Sequence, residues 1–231
     1  MSSLAIIGAR IIDPHTGRDE IGTLLLEDGV IQKILEADRT EDIPPHAEQV
    51  SADGLILCPG LIDMRVCTGE PGAEHKETIK SAGHAAAAGG VTSIVLMPAT
   101  NPVIDDISLV DHILNRGAET TDIRVYPAAA LTKGLAGSEM TEIGLMDQAG
   151  AVLFSNGDTP ISDARLMRRI MSYSSTFNAL IAHRAVDADL SAGACAHESD
   201  FSARLGLPSA PATSERIMAE RDIALAELTG A

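Results

Sequence analysis

Residues 55–102 read L-I-L-C-P-G-L-I-D-M-R-V-C-T-G-E-P-G-A-E-H-K-E-T-I-K-S-A-G-H-A-A-A-A-G-G-V-T-S-I-V-L-M-P-A-T-N-P. An apolar strand runs into Asp63. Lys76–Ala88 has helix-forming composition and ends on Gly89-Gly90, the usual stop. Val91–Met97 is then an almost unbroken β-branched and aliphatic run, as expected of a strand covered on both faces. Strand, helix and strand at this spacing predict a βαβ unit with parallel strands.

Upstream the period is different. Residues 4–12 and 22–35 read as short strands, with Asp28-Gly29 placed for a two-residue hairpin turn. Residues 37–50 are polar and contain prolines, which predicts a loop. Downstream the alternation continues. Ile107, Val110, Ile113 and Leu114 mark the inner face of a helix. Strands are predicted at 123–129, 151–154 and 179–182, and helices at 141–148 and 162–177. Residues 213–228 read as an amphipathic helix with Ile217, Ile223, Leu225 and Leu228 among its apolar positions. About five strand ends result, near Ile62, Met97, Ala129, Phe154 and Ala182. A closed βα barrel has eight strands and needs ~250 residues, so the pattern predicts an incomplete, TIM-like (β/α) barrel. A doubly wound open sheet stays open from pattern alone. No G-x-G-x-x-G follows a strand, so nothing supports a dinucleotide site.

Composition narrows the function classes. The 231 residues are 45% hydrophobic but only 2% aromatic, so aliphatic and Ala/Gly packing must fill the core. A formal charge of −16 argues against nucleic acid and anionic membrane surfaces, both of which need clustered Lys and Arg. Cys58, Cys67 and Cys195 are widely spaced and odd in number, the pattern of reduced, buried thiols in a cytoplasm. No apolar run reaches the ~20 residues of a membrane span, and no signal peptide is apparent.

In a barrel the chemistry sits on the loops after the strand ends, here 63–72, 98–102, 131–134, 155–160 and 183–187. Residues at i and i+2 share a strand face, so a pair of metal-binding imidazoles fits two apart. That pair of positions holds Arg65 and Cys67.

At these residues the chain resembles the dihydroorotase family of the amidohydrolase superfamily. The matching motifs are P-G-L-I-D-M (59–64), E-P-G-x-E-H-K-E-T (70–78), A-A-A-A-G-G-V-T (85–92) and M-P-x-T-N-P-V-I-D (97–105). A-L-T-K-G (130–134), I-A-H (181–183) and R-L-G-L-P (204–208) follow in the same order. The resemblance implies an α/β architecture with a small N-terminal β-sandwich portion (1–57) and a partial metallo-dependent-hydrolase-like barrel (58–231). It implies cyclisation of carbamoyl aspartate to dihydroorotate in pyrimidine synthesis.

The same motifs carry departures. The family's D-x-H-x-H-x-R reads D-M-R-V-C-T-G here, with Arg65, Cys67 and Gly69 in place of two metal histidines and a substrate arginine. Ala99 stands where M-P-N-T has asparagine. The bridging aspartate of F-S-D-D-G becomes Asn156, with Asp158 two residues on. His183 matches a metal ligand. A guanidinium has no lone pair to offer, so Arg65 cannot ligate zinc.

Two readings follow. In the first, the chain is a dihydroorotase-like pseudoenzyme with no cofactor, serving as a structural partner of aspartate transcarbamoylase, as some members of the family do. A partial barrel leaves parallel edges and apolar surface to be covered in a homo-oligomer or hetero-complex. In the second, it is a dihydroorotase or cyclic amidohydrolase with a rebuilt site, or a truncated piece of one. Zinc would then sit on Cys67, Asp158 and His183, and Arg65, Asn101 and Lys133 would bind substrate. Plainer roles stand beside these. His183 reads as a hydrogen-bonded structural residue, Arg65 as a partner for Asp63 or Glu70, and Cys67 as a small apolar packer. His75, Lys76 and Glu77 read as the solvated start of a helix.

Overall fold

The computed structural model describes residues 2–37 and 39–231. They form two compact units, Met1–Gly60 and Leu61–Ala231.

The first unit is a five-stranded sheet of β1 (Ser3–Asp13), β2 (Arg18–Glu27), β3 (Val30–Glu36), β4 (Glu48–Ser51) and β5 (Ile56–Leu57). The order is β3-β2-β1-β4, with β5 also paired to β1. β2 and β3 are joined by Asp28-Gly29, both left-handed (φ 47° and 78°), as a type I′ hairpin turn requires. β4 falls where the polar composition predicted a loop. Its four side chains are exposed, but its backbone pairs in parallel with Leu4–Ile7, and ladder hydrogen bonds do not depend on apolar side chains. Gly8 (φ 78°) sits at the irregularity in β1, where a Cβ would lie 1.9 Å from Oδ1 of Asp53.

The second unit carries the predicted alternation: β6 (Leu61–Val66), α1 (Ile79–Ala88), β7 (Val91–Leu96), α2 (Ile107–Thr120), β8 (Arg124–Ala130), α3 (Ile143–Gln148), β9 (Leu153–Ser155), α4 (Ala164–Ser174) and β10 (Ile181–Ala182). The sheet order is β10-β9-β8-β7-β6, with every neighbouring pair parallel. This is the half-barrel arc expected of sequential βα units. α1 starts three residues later than composition suggested, because Thr78 accepts the Ser81 N–H and closes a capping box.

The strands' period of two sorts the core. Ile94, Leu96, Ala129 and Phe154 pack outward against Ile79, Val110, Ile113, Met146, Met167 and Ile170. Val95, Met97, Ala128 and Leu153 line the concave side. With few aromatics, close approach does the packing: a Cβ on Gly117 of α2 would lie 2.6 Å from the Val125 Cβ on β8.

After β10 come β11 (Ala196–His197), α5 (Asp200–Leu205), β12 (Ser209–Ala210) and α6 (Thr213–Thr229). The two-residue pair β11/β12 and the short α5 have too little period to register in sequence. α6 is helical as predicted, but of its four predicted apolar positions only Leu225 packs on the core. Ser214 and Met218 are buried, while Ile217, Ile223 and Leu228 are 45%, 61% and 63% exposed. The helix lies against α4, and its Leu225 packs on the main core. The three cysteines are free and exposed, not buried as expected. Among the described residues no helix is long and apolar enough to cross a membrane.

Candidate active site

The C-terminal ends of β6, β9 and β10 open onto a cleft of about 850 Å³. Arg65, Ser155, Asp158, His183 and Arg184 are its polar lining, and Met64, Met97, Leu153 and Leu180 supply apolar wall. Alternation along β6 puts Asp63 and Arg65 on one face. The Asp63 carboxylate turns back to accept the Arg65 backbone N–H (3.0 Å), so it is not the guanidinium's partner. Glu70 is not the partner either, being committed elsewhere. Arg65 instead crosses the arc to Asp158, with Nη2 at 2.6 Å from Oδ1. Arg184, which sequence reasoning missed, reaches the same oxygen at 3.4 Å and the Asp158 carbonyl at 3.3 Å.

Asn156 is 1% exposed and is spent on the loop. Its Oδ1 accepts from the Thr132 hydroxyl (2.6 Å), and its Nδ2 donates to the carbonyls of Leu135 and Thr159 (3.2 Å each). With Asn156 locked and Gly157 left-handed (φ 61°), Asp158 is the acidic residue left in the cleft.

His183 is held at both ring nitrogens. Nε2 accepts the Ile161 N–H (2.8 Å), and Nδ1 lies 2.7 Å from Oδ2 of Asp222 on α6. A ring that accepts at Nε2 carries its proton on Nδ1, which then donates to the carboxylate. Arg221 adds Nη2 to Asp222 Oδ1 (2.7 Å), and its Nη1 donates to the carbonyls of Ile161 and Ser162 (2.9 and 3.1 Å). Burial pushes the Asp222 carboxyl up, but the hydrogen bonds from His183 and Arg221 outweigh it and hold the group below its ordinary value. Asp222 left no signal in the sequence, lying 39 residues from His183 on a helix.

The other candidates lie apart. Cys67 and Asn101 line a second cleft of about 620 Å³ with Gly69, Lys76, Glu77 and Thr100. Beneath it Glu70, 5% exposed, accepts from Arg116 Nε (2.5 Å) and from the Ile79 N–H at the start of α1 (2.8 Å). The Glu70 carboxylate raises the Arg116 guanidinium above its ordinary value. Lys133 lines neither cleft and pairs with Glu139 at 2.5 Å, which raises its ammonium. At Gly69 an added Cβ would lie 2.0 Å from the Ala73 carbonyl oxygen, so no side chain fits there in this loop.

This donor set does not fit a zinc ion. Among the described residues no three His, Cys, Asp or Glu side chains gather where a metal would sit. Cys67 lines a different cleft from Asp158 and His183. The carboxylate of Asp158 is paired with two guanidinium groups, and the imidazole has no lone pair left.

Residues 54–231 match the family described as dihydro-orotase-like. A dihydroorotase of Syntrophus aciditrophicus (strain SB) is 42% identical over 224 residues, covering 97% of this chain and 52% of that protein. A dihydroorotase-like protein of Pseudomonas putida is 38% identical over 234 residues, covering 99% and 53%. Among solved structures, the L-hydantoinase (dihydropyrimidinase) from Arthrobacter aurescens superposes with a TM-score of 0.79 at 19% identity, covering 100% of this chain and 52% of that one. That likeness concerns the fold. The chain spans about half the length of the curated relatives it matches.

Proposed function

Because the chain belongs to the dihydroorotase-like family, we propose that it is a dihydroorotase-like protein of pyrimidine synthesis that has lost metal-dependent catalysis and acts as a structural partner of aspartate transcarbamoylase. The observation that carries this reading is the Arg65–Asp158 pair at 2.6 Å, a fixed cation where the chain's metal-site residues would have to bind one. The engagement of both His183 nitrogens points the same way. A partnering role accords with the β6 edge of the arc: among the described residues β6 pairs with β7 alone, and Leu61, Ile62 and Met64 on it are 57%, 65% and 51% exposed. Parallel edges and apolar surface of this kind are usually covered by another chain or segment. The setting is cytoplasmic, with no nucleic-acid or membrane partner.

A second reading is favoured by the identity to proteins named dihydroorotase. In it the chain is an active cyclic amidohydrolase, or one portion of a longer one, which accords with its covering about half of those relatives. It requires Cys67, Asp158 and His183 to regroup on zinc, with Arg65, Asn101 or Lys133 turning to substrate. Metal analysis combined with turnover separates the two. Metal-free protein that co-elutes with aspartate transcarbamoylase and leaves dihydroorotate unchanged is expected. Stoichiometric zinc, lost together with activity on Cys67→Ala or His183→Ala, would replace the first reading with the second.

A further inference from the structure

We propose that Arg65 and Arg184 form a two-guanidinium clamp for one oxyanion of a small ligand, a carboxylate or a phosphate, and that Asp158 is the resident counter-ion which that ligand displaces. The clamp joins the two edges of the arc: Arg65 belongs to β6 and Arg184 follows β10, with their guanidinium groups converging on one oxygen, Oδ1 of Asp158, at 2.6 and 3.4 Å. Two cations share one anion, so the cleft keeps a net positive charge in a chain of formal charge −16. The neighbouring imidazole adds none, because a ring accepting the Ile161 N–H is neutral.

Geometry suits exchange. The side chains of Arg65, Arg184 and Asp158 are 62%, 52% and 66% exposed, so the internal pair is screened by water and weak. The second Asp158 oxygen has no hydrogen bond among the described residues, so the internal carboxylate uses only part of what two guanidinium forks offer. On the floor, Ser155 is 3% exposed and accepts the Gly157 N–H (3.1 Å), while its own hydroxyl hydrogen finds no acceptor among the described residues. A ligand oxygen entering the cleft meets that donor as well as the guanidinium groups. Met64, Met97 and Leu153 offer the remainder of the ligand an apolar wall.

This clamp does not depend on whether the chain turns over a substrate; Asp158 is also a zinc ligand in the second reading above, but Arg65 and Arg184, which would hold the oxyanion, are not. Calorimetric titration of the full chain with succinate and with inorganic phosphate, at low and high salt, tests it. Salt-sensitive binding of one or both is expected, and the probe that binds tells which oxyanion the site takes. Asp158→Asn removes the competitor and should tighten binding by about three- to fivefold, the range of an exposed ion pair. Arg65→Ala and Arg184→Ala should each weaken it by about tenfold or more, with Arg184→Lys recovering part of the loss. Melting curves confirm that each variant is folded. The assignment is overturned if neither probe binds wild type or Asp158→Asn, or if Arg184→Ala binds as well as wild type. Either result leaves the family membership and the partnering reading untouched.

Discussion

The imidazole of His183 and the carboxylate of Asp222 lie 2.7 Å apart, tying the end of β10 to α6 while the other ring nitrogen holds the Ile161 amide. His183 is 5% and Asp222 15% exposed at the side chain, so neither partner is readily replaced by water. A residue placed by its motif as a metal ligand thus serves as a three-way pin between a strand end, a loop and a helix.

Truncating either partner should cost stability, because it strands buried polar groups rather than merely deleting a contact. Asp222→Ala leaves His183 and Arg221 without their acceptor and should lower unfolding free energy by about 2 kcal/mol. The double variant with His183→Ala should lose less than the sum of the single changes. Urea unfolding of the four proteins measures this, and strict additivity would show that the pair is not coupled.

The Glu70–Arg116 pair is asymmetric. Glu70 is buried, whereas the Arg116 side chain is 40% exposed and can turn to water. Arg116→Met should therefore lower the melting temperature by more than Glu70→Gln does. The first leaves a buried carboxylate with only the Ile79 amide, while the second removes the charge that needs compensation. Equal shifts in a calorimetric scan would mean that the loop relaxes enough to hydrate Glu70.

Gly69 has closed the loop on itself. Its N–H donates to the Glu77 carbonyl (3.0 Å), its carbonyl accepts from Ala73 (2.5 Å), and a Cβ would collide with the Ala73 carbonyl. Gly69→Arg should destabilise the unit by about 1–3 kcal/mol, since the neighbour that must yield is backbone. Joined to Arg65→His and Cys67→His, it should still produce no stoichiometric zinc site. Mass spectrometry of the triple variant under native conditions decides this.

Acid should loosen α2 at its start. The Asp106 carboxylate accepts from the Ser108 hydroxyl (2.7 Å) and the Ser108 N–H (2.9 Å), bonds that hold it below its ordinary value of 3.8. A group lowered by folding contributes stability above its unfolded value, and that contribution disappears as pH falls through the folded one. Asp106→Ala should cost about 0.5–1 kcal/mol near neutral pH and progressively less below about pH 4. A constant difference across that range in denaturant titrations would remove Asp106 as the titrating cap.

Much of the framework was legible in the chain. Strands at 91–97, 123–129 and 151–154 stand within two residues of those observed, because strands covered on both faces are continuous aliphatic runs. The Asp28-Gly29 turn was legible because few residue pairs tolerate two left-handed conformations in succession. The inner face of α6 was not, because apolar residues around a helix do not say which side meets a neighbour. Arg184 stood in view beside His183, and its strand-end position was the available signal. Asp158 as the partner of Arg65, 93 residues away, had none.

The sequence by itself determined the alternation of strands and helices, the family, and the absence of histidines at 65 and 67, since each is written in local period or residue type. Only the tertiary structure decided that Arg65 meets Asp158 and Arg184, that Asn156 is sealed into its loop, and that His183 has spent both nitrogens. Those are distances between segments far apart in the chain. They follow from where the arc brings the strand ends together, and local propensity carries no record of that.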